Sequence, residues 1–258
     1  MDFGMIARVM NHWLGGTYRS TKADLDFAQQ VELVAPHIPY LVRAQRAMLG
    51  RMVRYLVSQG IRQFLDLGSG VPTRGNVHEV ARGAAPDSRV VYVDREPEIA
   101  ADGRDLVAGD DQVAYLCVDF RCPADVLDAP ETRRLIDFGR PVALLFIESL
   151  TLLPDTDDPY GLVAAYSDAL TSGSYVGVSQ ANSTRALESA LALSQRMFNL
   201  APPSVFLRDR ERQAEFFTGL ELVEPGITPV QLWKPEPGTK IDHNAELGGM
   251  FVGLGRKP

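Results

Sequence analysis

Apolar and polar positions along the chain follow two different periods. Over the first sixty residues the period is helical: Ile6, Val9, Met10, Trp13 and Leu14 recur at i, i+3, i+4, i+7 and i+8 ahead of Gly15-Gly16, a pair suited to a left-handed helix end. Thr21 can cap a second helix that buries Phe27, Val31 and Val34, and the segment from Pro36 to Pro39 breaks it. A third, longer helix carries Leu41, Ala44, Met48, Met52 and Tyr55 on one face and stops at Gly60. From Phe64 onward, short and nearly continuous apolar runs alternate with helix-length stretches, the mark of strands covered on both faces. The runs fall at 64–67, 89–94, 113–120, 141–150 and 174–179, with helices over 73–84, from Pro97, over 123–137 and up to Leu170. Ser183 or Thr184 can cap a further helix bearing Leu187, Leu191, Ser194 and Phe198, which Pro202-Pro203 ends. A short helix around Phe216-Phe217, a strand at 220–223 and a last strand at 250–254 close the chain. The alternation predicts a mostly parallel sheet with helices on both faces, and the closing pair without a helix between them predicts an antiparallel last strand.

Candidate chemistry gathers where strands turn into helices. The run Phe64-Leu65-Asp66-Leu67-Gly68-Ser69-Gly70-Val71-Pro72-Thr73 places two glycines in a tight strand-to-helix turn, where backbone can approach a ligand. The dinucleotide fingerprint G-x-G-x-x-G fails at its third glycine, which is Thr73 here. The D-x-G-x-G core instead resembles the S-adenosylmethionine (SAM) loop of class I methyltransferases. Asp94, at the end of the second strand, can accept hydrogen bonds from both ribose hydroxyls, and Asp119-Phe120 after the third resembles the adenine-binding segment of that fold. The resemblance implies SAM as cofactor, held by Gly68, Ser69, Gly70, Pro72, Thr73, Asp94, Arg95, Asp119 and Phe120. Asp66 either bonds the loop amides or touches the ligand.

Composition narrows the classes. At 258 residues, with no Pro/Gly/Ser linker, the chain reads as one domain, 1–258, with a helical prelude at 1–60 over a core at 61–258. A net charge of -7 argues against a sequence-independent grip on nucleic acid. Cys117 and Cys122 lack C-x-x-C spacing, and His12, His37, His78 and His243 are scattered, so no metal site is expected. No apolar run reaches the ~18 residues of a membrane span and no signal sequence is visible, which points to a cytoplasmic protein without a membrane partner. Nothing in the sequence sets the oligomeric state.

Across nearly its whole length the chain resembles the actinobacterial SAM-dependent methyltransferase-like proteins once grouped as a domain of unknown function. The resemblance is carried by Leu14-Gly15-Gly16, Arg43-Ala44-Gln45-Arg46-Ala47, Gly60-Ile61-Arg62-Gln63-Phe64-Leu65-Asp66-Leu67-Gly68-Ser69-Gly70, Asn76-Val77-His78-Glu79, Val90-Val91-Tyr92-Val93-Asp94, Arg140-Pro141-Val142-Ala143-Leu144-Leu145, Phe216-Phe217, Gly219-Leu220-Glu221-Leu222-Val223-Glu224-Pro225-Gly226 and Gly255-Arg256-Lys257-Pro258. It implies the Rossmann-like class I methyltransferase fold, an α/β architecture with a mostly parallel seven-stranded sheet and a helical N-terminal lid. A setting in secondary metabolism goes with the family. Two departures stand out. Met10-Asn11-His12-Trp13 replaces a Tyr-Asp-Tyr type segment, and Glu148 lies in an apolar run that has Thr151 where the family tends to carry histidine.

Asn11, His12 and Trp13 are therefore candidates for a lid over the substrate, Trp13 because an aromatic face attracts a sulfonium. Arg43 is the candidate partner of the methionyl carboxylate. Glu148 is the candidate general base, its pKa raised by apolar surroundings. Methyl transfer to a small molecule leads. The alternatives are a SAM-cyclising enzyme, with SAM as sole substrate and methylthioadenosine released, and a module that binds SAM without turnover.

Overall fold

In the computed structural model the described residues are 3–16, 19–71, 75–185, 187–189, 192, 205–241 and 245–258. Three helices lead: α1 (Phe3–Trp13), α2 (Lys22–Val34) and α3 (Ile38–Ser58). Thr21 caps α2 as expected, its hydroxyl accepting from the Asp24 amide while the Asp24 carboxylate accepts from the Thr21 amide. The same buried carboxylate receives the Arg8 guanidinium from α1 at 2.9 and 3.2 Å, which fastens the first two helices together. Pro39 sits in the first turn of α3, where a missing N–H costs nothing, so only the residues around Pro36 form the break.

The core alternates strand and helix: β1 (Gln63–Leu67), α4 (Val77–Ala84), β2 (Arg89–Asp94), α5 (Pro97–Leu106), β3 (Val113–Cys117), α6 (Pro123–Leu127), α7 (Pro130–Leu135), β4 (Ala143–Ile147), α8 (Pro159–Asp168) and β5 (Tyr175–Ala181). Short strands β6 (Glu221–Leu222) and β7 (Thr228–Pro229) precede β8 (Met250–Arg256). The sheet runs β3-β2-β1-β4-β5-β8-β6, parallel through β5 and antiparallel at β8 and β6. The path has the seven strands expected, mostly parallel. The two-residue β7 pairs with β8 off the path and was not legible in the apolar pattern.

Because strand side chains alternate faces, the sheet splits its apolar residues between two helix layers. Phe64, Val90, Tyr92 and Leu145 join Met48, Met52 and Leu56 of α3 on one side. Leu65, Leu67, Val91, Leu144 and Phe146 join Val126, Leu135 and Tyr166 on the other. The C-terminal half of α3 therefore belongs to the core. Residues of its N-terminal half share a cavity wall with α1, α2 and the loops at the carboxyl ends of β1, β2 and β4.

Several predicted boundaries shift. The helix expected over 73–84 starts at Val77, capped by Asn76 in a reciprocal pair with Glu79. The single helix expected over 123–137 is two, since Pro130 starts a new first turn. The third strand ends at Cys117 and the fourth at Ile147, leaving Asp119, Phe120 and Glu148 in the loops beyond. Thr184 receives the Leu187 amide as a cap would. Leu191, Ser194, Phe198 and the Pro202-Pro203 stop lie outside the described residues.

Candidate active site

After β1 the chain turns through Gly68 and Gly70, both at positive φ (76° and 69°). A side chain at Gly68 would place its Cβ 2.5 Å from the Cβ of Ser149, whereas one at Gly70 would meet nothing within 4 Å and points into open cavity. The turn is tied to β2 by the Gly68 and Ser69 amides, both donating to the Val93 carbonyl at 2.8 and 3.1 Å. Tyr115 braces it from β3, its hydroxyl bonded to the Ser69 hydroxyl and the Gly70 carbonyl. Asp94 closes the arrangement: one carboxylate oxygen accepts from the Gly70 amide at 2.9 Å and the other from the Glu96 amide at 3.0 Å. Burial raises its pKa against these two bonds. Each oxygen keeps a lone pair for a further donor. Pro72 and Thr73 lie outside the described residues.

Arg95 and Asp119 face one another at 3.6 Å. Arg121 grips Asp119 in a fork, from Nε to both oxygens at 3.0 Å and from Nη2 at 2.6 Å. Burial would raise the Asp119 pKa, but these bonds and the positive charge bring it below the usual carboxylate value. Phe120 is buried edge-on to Phe146, 6.0 Å between ring centres, with its rim toward Gly68.

Glu148 follows β4 in the left-handed region, φ 62°, a conformation that costs a non-glycine residue of order 1–3 kcal/mol and tends to occur at functional sites. Its carboxylate accepts from the Thr151 hydroxyl at 3.0 Å and the Ser179 hydroxyl at 3.3 Å. The direction of the Ser179 bond is imposed from behind, and that of the Thr151 bond is favoured. Ser179 Oγ already accepts from the Glu148 amide and from Gln45 Nε2, and Thr151 Oγ1 from the Ala181 amide, which leaves each hydroxyl proton for Glu148. Burial outweighs these two bonds and raises the Glu148 pKa to about 7.

One cavity of about 710 Å³ joins these groups beneath α1, α2 and the start of α3. Gly68, Ser69, Gly70, Asp94, Arg95, Asp119, Phe120 and Glu148 line it, as do Asn11 and Trp13. Trp13 is fixed by donating from its indole N–H to Glu32 of α2 at 2.7 Å. Two expected residues are not on the wall. His12 is exposed at the end of α1, and Arg43 is exposed with its guanidinium donating to the Trp13 carbonyl. The wall has Arg46 instead, one turn further along α3. Burial lowers the Arg46 pKa while Asp66 beneath it pulls the other way. Asp66 points from β1 toward the same helix layer, and burial pushes it up to about 7 despite the attraction of Arg46. It does not bond the loop amides. Of the two roles open to Asp66 the ligand contact remains, and Arg46, Gln45 and Ser179 are the polar groups missing from the sequence-derived set.

Among the described residues no helix is long and apolar enough to cross a membrane. No curated protein matches the chain in sequence. Two solved structures resemble it throughout: a candidate methyltransferase from Thermobifida fusca, 36% identical over 99% of this chain and 96% of that one, and a DUF574 family protein from Streptomyces avermitilis, 36% identical over 98% and 97%, each with a TM-score of 0.89. The plantazolicin methyltransferase BamL, solved with S-adenosylhomocysteine, shares the fold at 9% identity with a TM-score of 0.55 over 99% and 97% of the chains. The ring-closing and non-catalytic alternatives gain no support from these relatives. Residues 2–258 match the S-adenosyl methyltransferase family, and the chain belongs to that family of SAM-dependent enzymes with the class I methyltransferase fold.

Proposed function

We propose that the protein transfers a methyl group from SAM to a small-molecule acceptor held beneath α1 and α2, with Glu148 as the general base. The observation that carries this is the Glu148 carboxylate: it lines the cavity, accepts from two hydroxyls, and keeps further lone pairs for a donor in the cavity. Bound SAM supplies a methyl group made electrophilic by a positively charged sulfur.

The wall fits that cofactor group by group. Asp94 has one lone pair per oxygen left for the ribose hydroxyls, Gly70 leaves space where a side chain would intrude, and Asp119 and Phe120 suit the amino edge and face of adenine. Arg46 offers a fork for the methionyl carboxylate, and Asp66 an anion for the ammonium beside it. Glu148 accepts the proton of an O–H or N–H acceptor, while the prelude helices exclude water and hold the acceptor in place. The chain acts as one domain, and the lid narrows from the first sixty residues to α1, α2 and the start of α3.

Calorimetric titration with SAM tests the site. Asp94→Ala should weaken binding by about 1.5–3 kcal/mol, because the hydroxyls it accepted are left unsatisfied. Mass spectrometry of the adenosyl product then tests the reaction: S-adenosylhomocysteine formed only with an acceptor supports transfer, whereas methylthioadenosine formed from SAM alone overturns it.

A further inference from the structure

The charges on the cavity wall are unevenly distributed. Its described lining contains no lysine or histidine, and its cations are Arg46, Arg95 and Arg121. Arg95 and Arg121 are engaged by Asp119, Arg121 also reaches Asp157, and Arg46 lies over Asp66 at the cofactor end. Much of the remaining wall is apolar: Ile6 and Met10 of α1, Phe27 and Val31 of α2, Leu41 of α3 and Leu152 all line it. Of the polar groups on the wall, Gln45 and Thr151 are committed to the Glu148 network, while Asn11 of α1 keeps a buried amide nitrogen without a hydrogen-bond partner, a neutral group that calls for no charge on the acceptor. At about 710 Å³, the cavity must hold cofactor and acceptor together, within the ~300–1,000 Å³ of ordinary small-molecule sites.

Resting on the methyl-transfer function above, we infer that the acceptor is an uncharged, mostly apolar small molecule that presents one O–H or N–H to Glu148. The acceptor heteroatom forms its bond to carbon as the sulfur–methyl bond breaks, the bonding pair stays on sulfur, and the acceptor's proton passes to the Glu148 carboxylate. A carboxylate and a sulfonium become a carboxylic acid and a neutral thioether. The step removes a pair of opposite charges, which an apolar wall favours. An acceptor carrying its own carboxylate, sulfonate or phosphate would bring a charge into a region without a counter-ion among the described residues.

The test uses protein saturated with S-adenosylhomocysteine, titrated calorimetrically with 2-naphthol and with 6-hydroxy-2-naphthoate, which share a ring and a hydroxyl and differ by one carboxylate. The naphthol should bind about 100-fold more tightly. Val31→Arg, which places a cation on the apolar wall, should reduce that preference by at least about tenfold. The variant's affinity for S-adenosylhomocysteine should remain that of the wild type, which shows that the cofactor end is folded. Equal or tighter binding of the naphthoate, or failure of the naphthol to bind, overturns the inference while the cofactor site stands. Failure of the wild type to bind S-adenosylhomocysteine overturns the methyl-transfer function itself.

Discussion

Replacing Glu148 with glutamine removes a charge and keeps a shape, and its first measurable effect should fall on the stability of the free protein. Burial holds the Glu148 carboxyl at about 7, against 4.5 for an unperturbed side chain. The unfolded chain therefore gives up this proton near pH 4.5 and the folded chain keeps it until about pH 7. Between those values the folded state binds more protons, so the Glu148 contribution to stability is full below pH 4.5 and is lost as pH rises through 7. A gap of about 2.5 pH units at 1.36 kcal/mol each amounts to about 3 kcal/mol by pH 8. The glutamine has no proton to lose, but presents an amide where one hydroxyl now donates, at a cost of about 1 kcal/mol. Wild type and Glu148→Gln should thus melt nearly together at pH 5, and at pH 8 the variant should be the more stable by about 2 kcal/mol, or about 4–8 °C for a chain of this size. Thermal melts of the ligand-free proteins at pH 5, 6, 7 and 8 measure this. A melting difference independent of pH would refute the raised pKa. The same variant should still bind SAM while turnover falls by ~10²–10⁴-fold, with the ascending limb of the pH–rate profile removed.

Asp66→Asn should behave likewise in melts, since its carboxyl is also held at about 7, but it should weaken SAM binding in calorimetry where Glu148→Gln does not. Arg46→Gln should raise the KM for SAM at least about tenfold, as expected for a lost charge-assisted fork, while Arg43→Gln should leave it unchanged; equal effects in steady-state assays would place the carboxylate elsewhere. SAM should slow tryptic cleavage at Arg19, between α1 and α2, and at Lys22, the first residue of α2, and unchanged cleavage on gels would remove the lid.

The sheet and its order of elements were legible because buried parallel strands leave nearly continuous apolar runs, and the glycine turn with Asp94 was legible because both lie at ends of such runs. Strand ends inside a longer apolar stretch were not. The run from Pro141 to Leu150 conceals the stop after Ile147, since the residues beyond it are also buried, and only the left-handed backbone at Glu148 marks the turn. Ser179 became part of the site through register alone: β5 sets it opposite Ile147, and no local pattern encodes which strands are neighbours. The choice between Arg43 and Arg46 was open to the helical period. Val42, Arg46, Leu49 and Val53 fall at i, i+4, i+7 and i+11 on one covered face, whereas Arg43 shares the solvent face with Ala47 and Arg54.

Asp66 and Glu148 give the site its character as a pair. They stand on β1 and just beyond β4, neighbouring strands of the sheet, and in both burial outweighs the partners that favour the charged form. At neutral pH the folded protein therefore holds two acids near the middle of their titration, at an expense to stability that well-packed neutral residues would avoid. The methionyl end of SAM brings an ammonium, a sulfonium and a carboxylate. Asp66 and Glu148 in their ionised forms, with Arg46 beside them, present the complementary set: two anions and a cation. A more acidic pair would be ionised but fully hydrated, and a poor base. A pair buried further would stay neutral and attract no cation. In the proposed reaction the raised but reachable pKa values would serve binding and proton transfer together, and the bonds from the Thr151 and Ser179 hydroxyls keep Glu148 from being pushed up further.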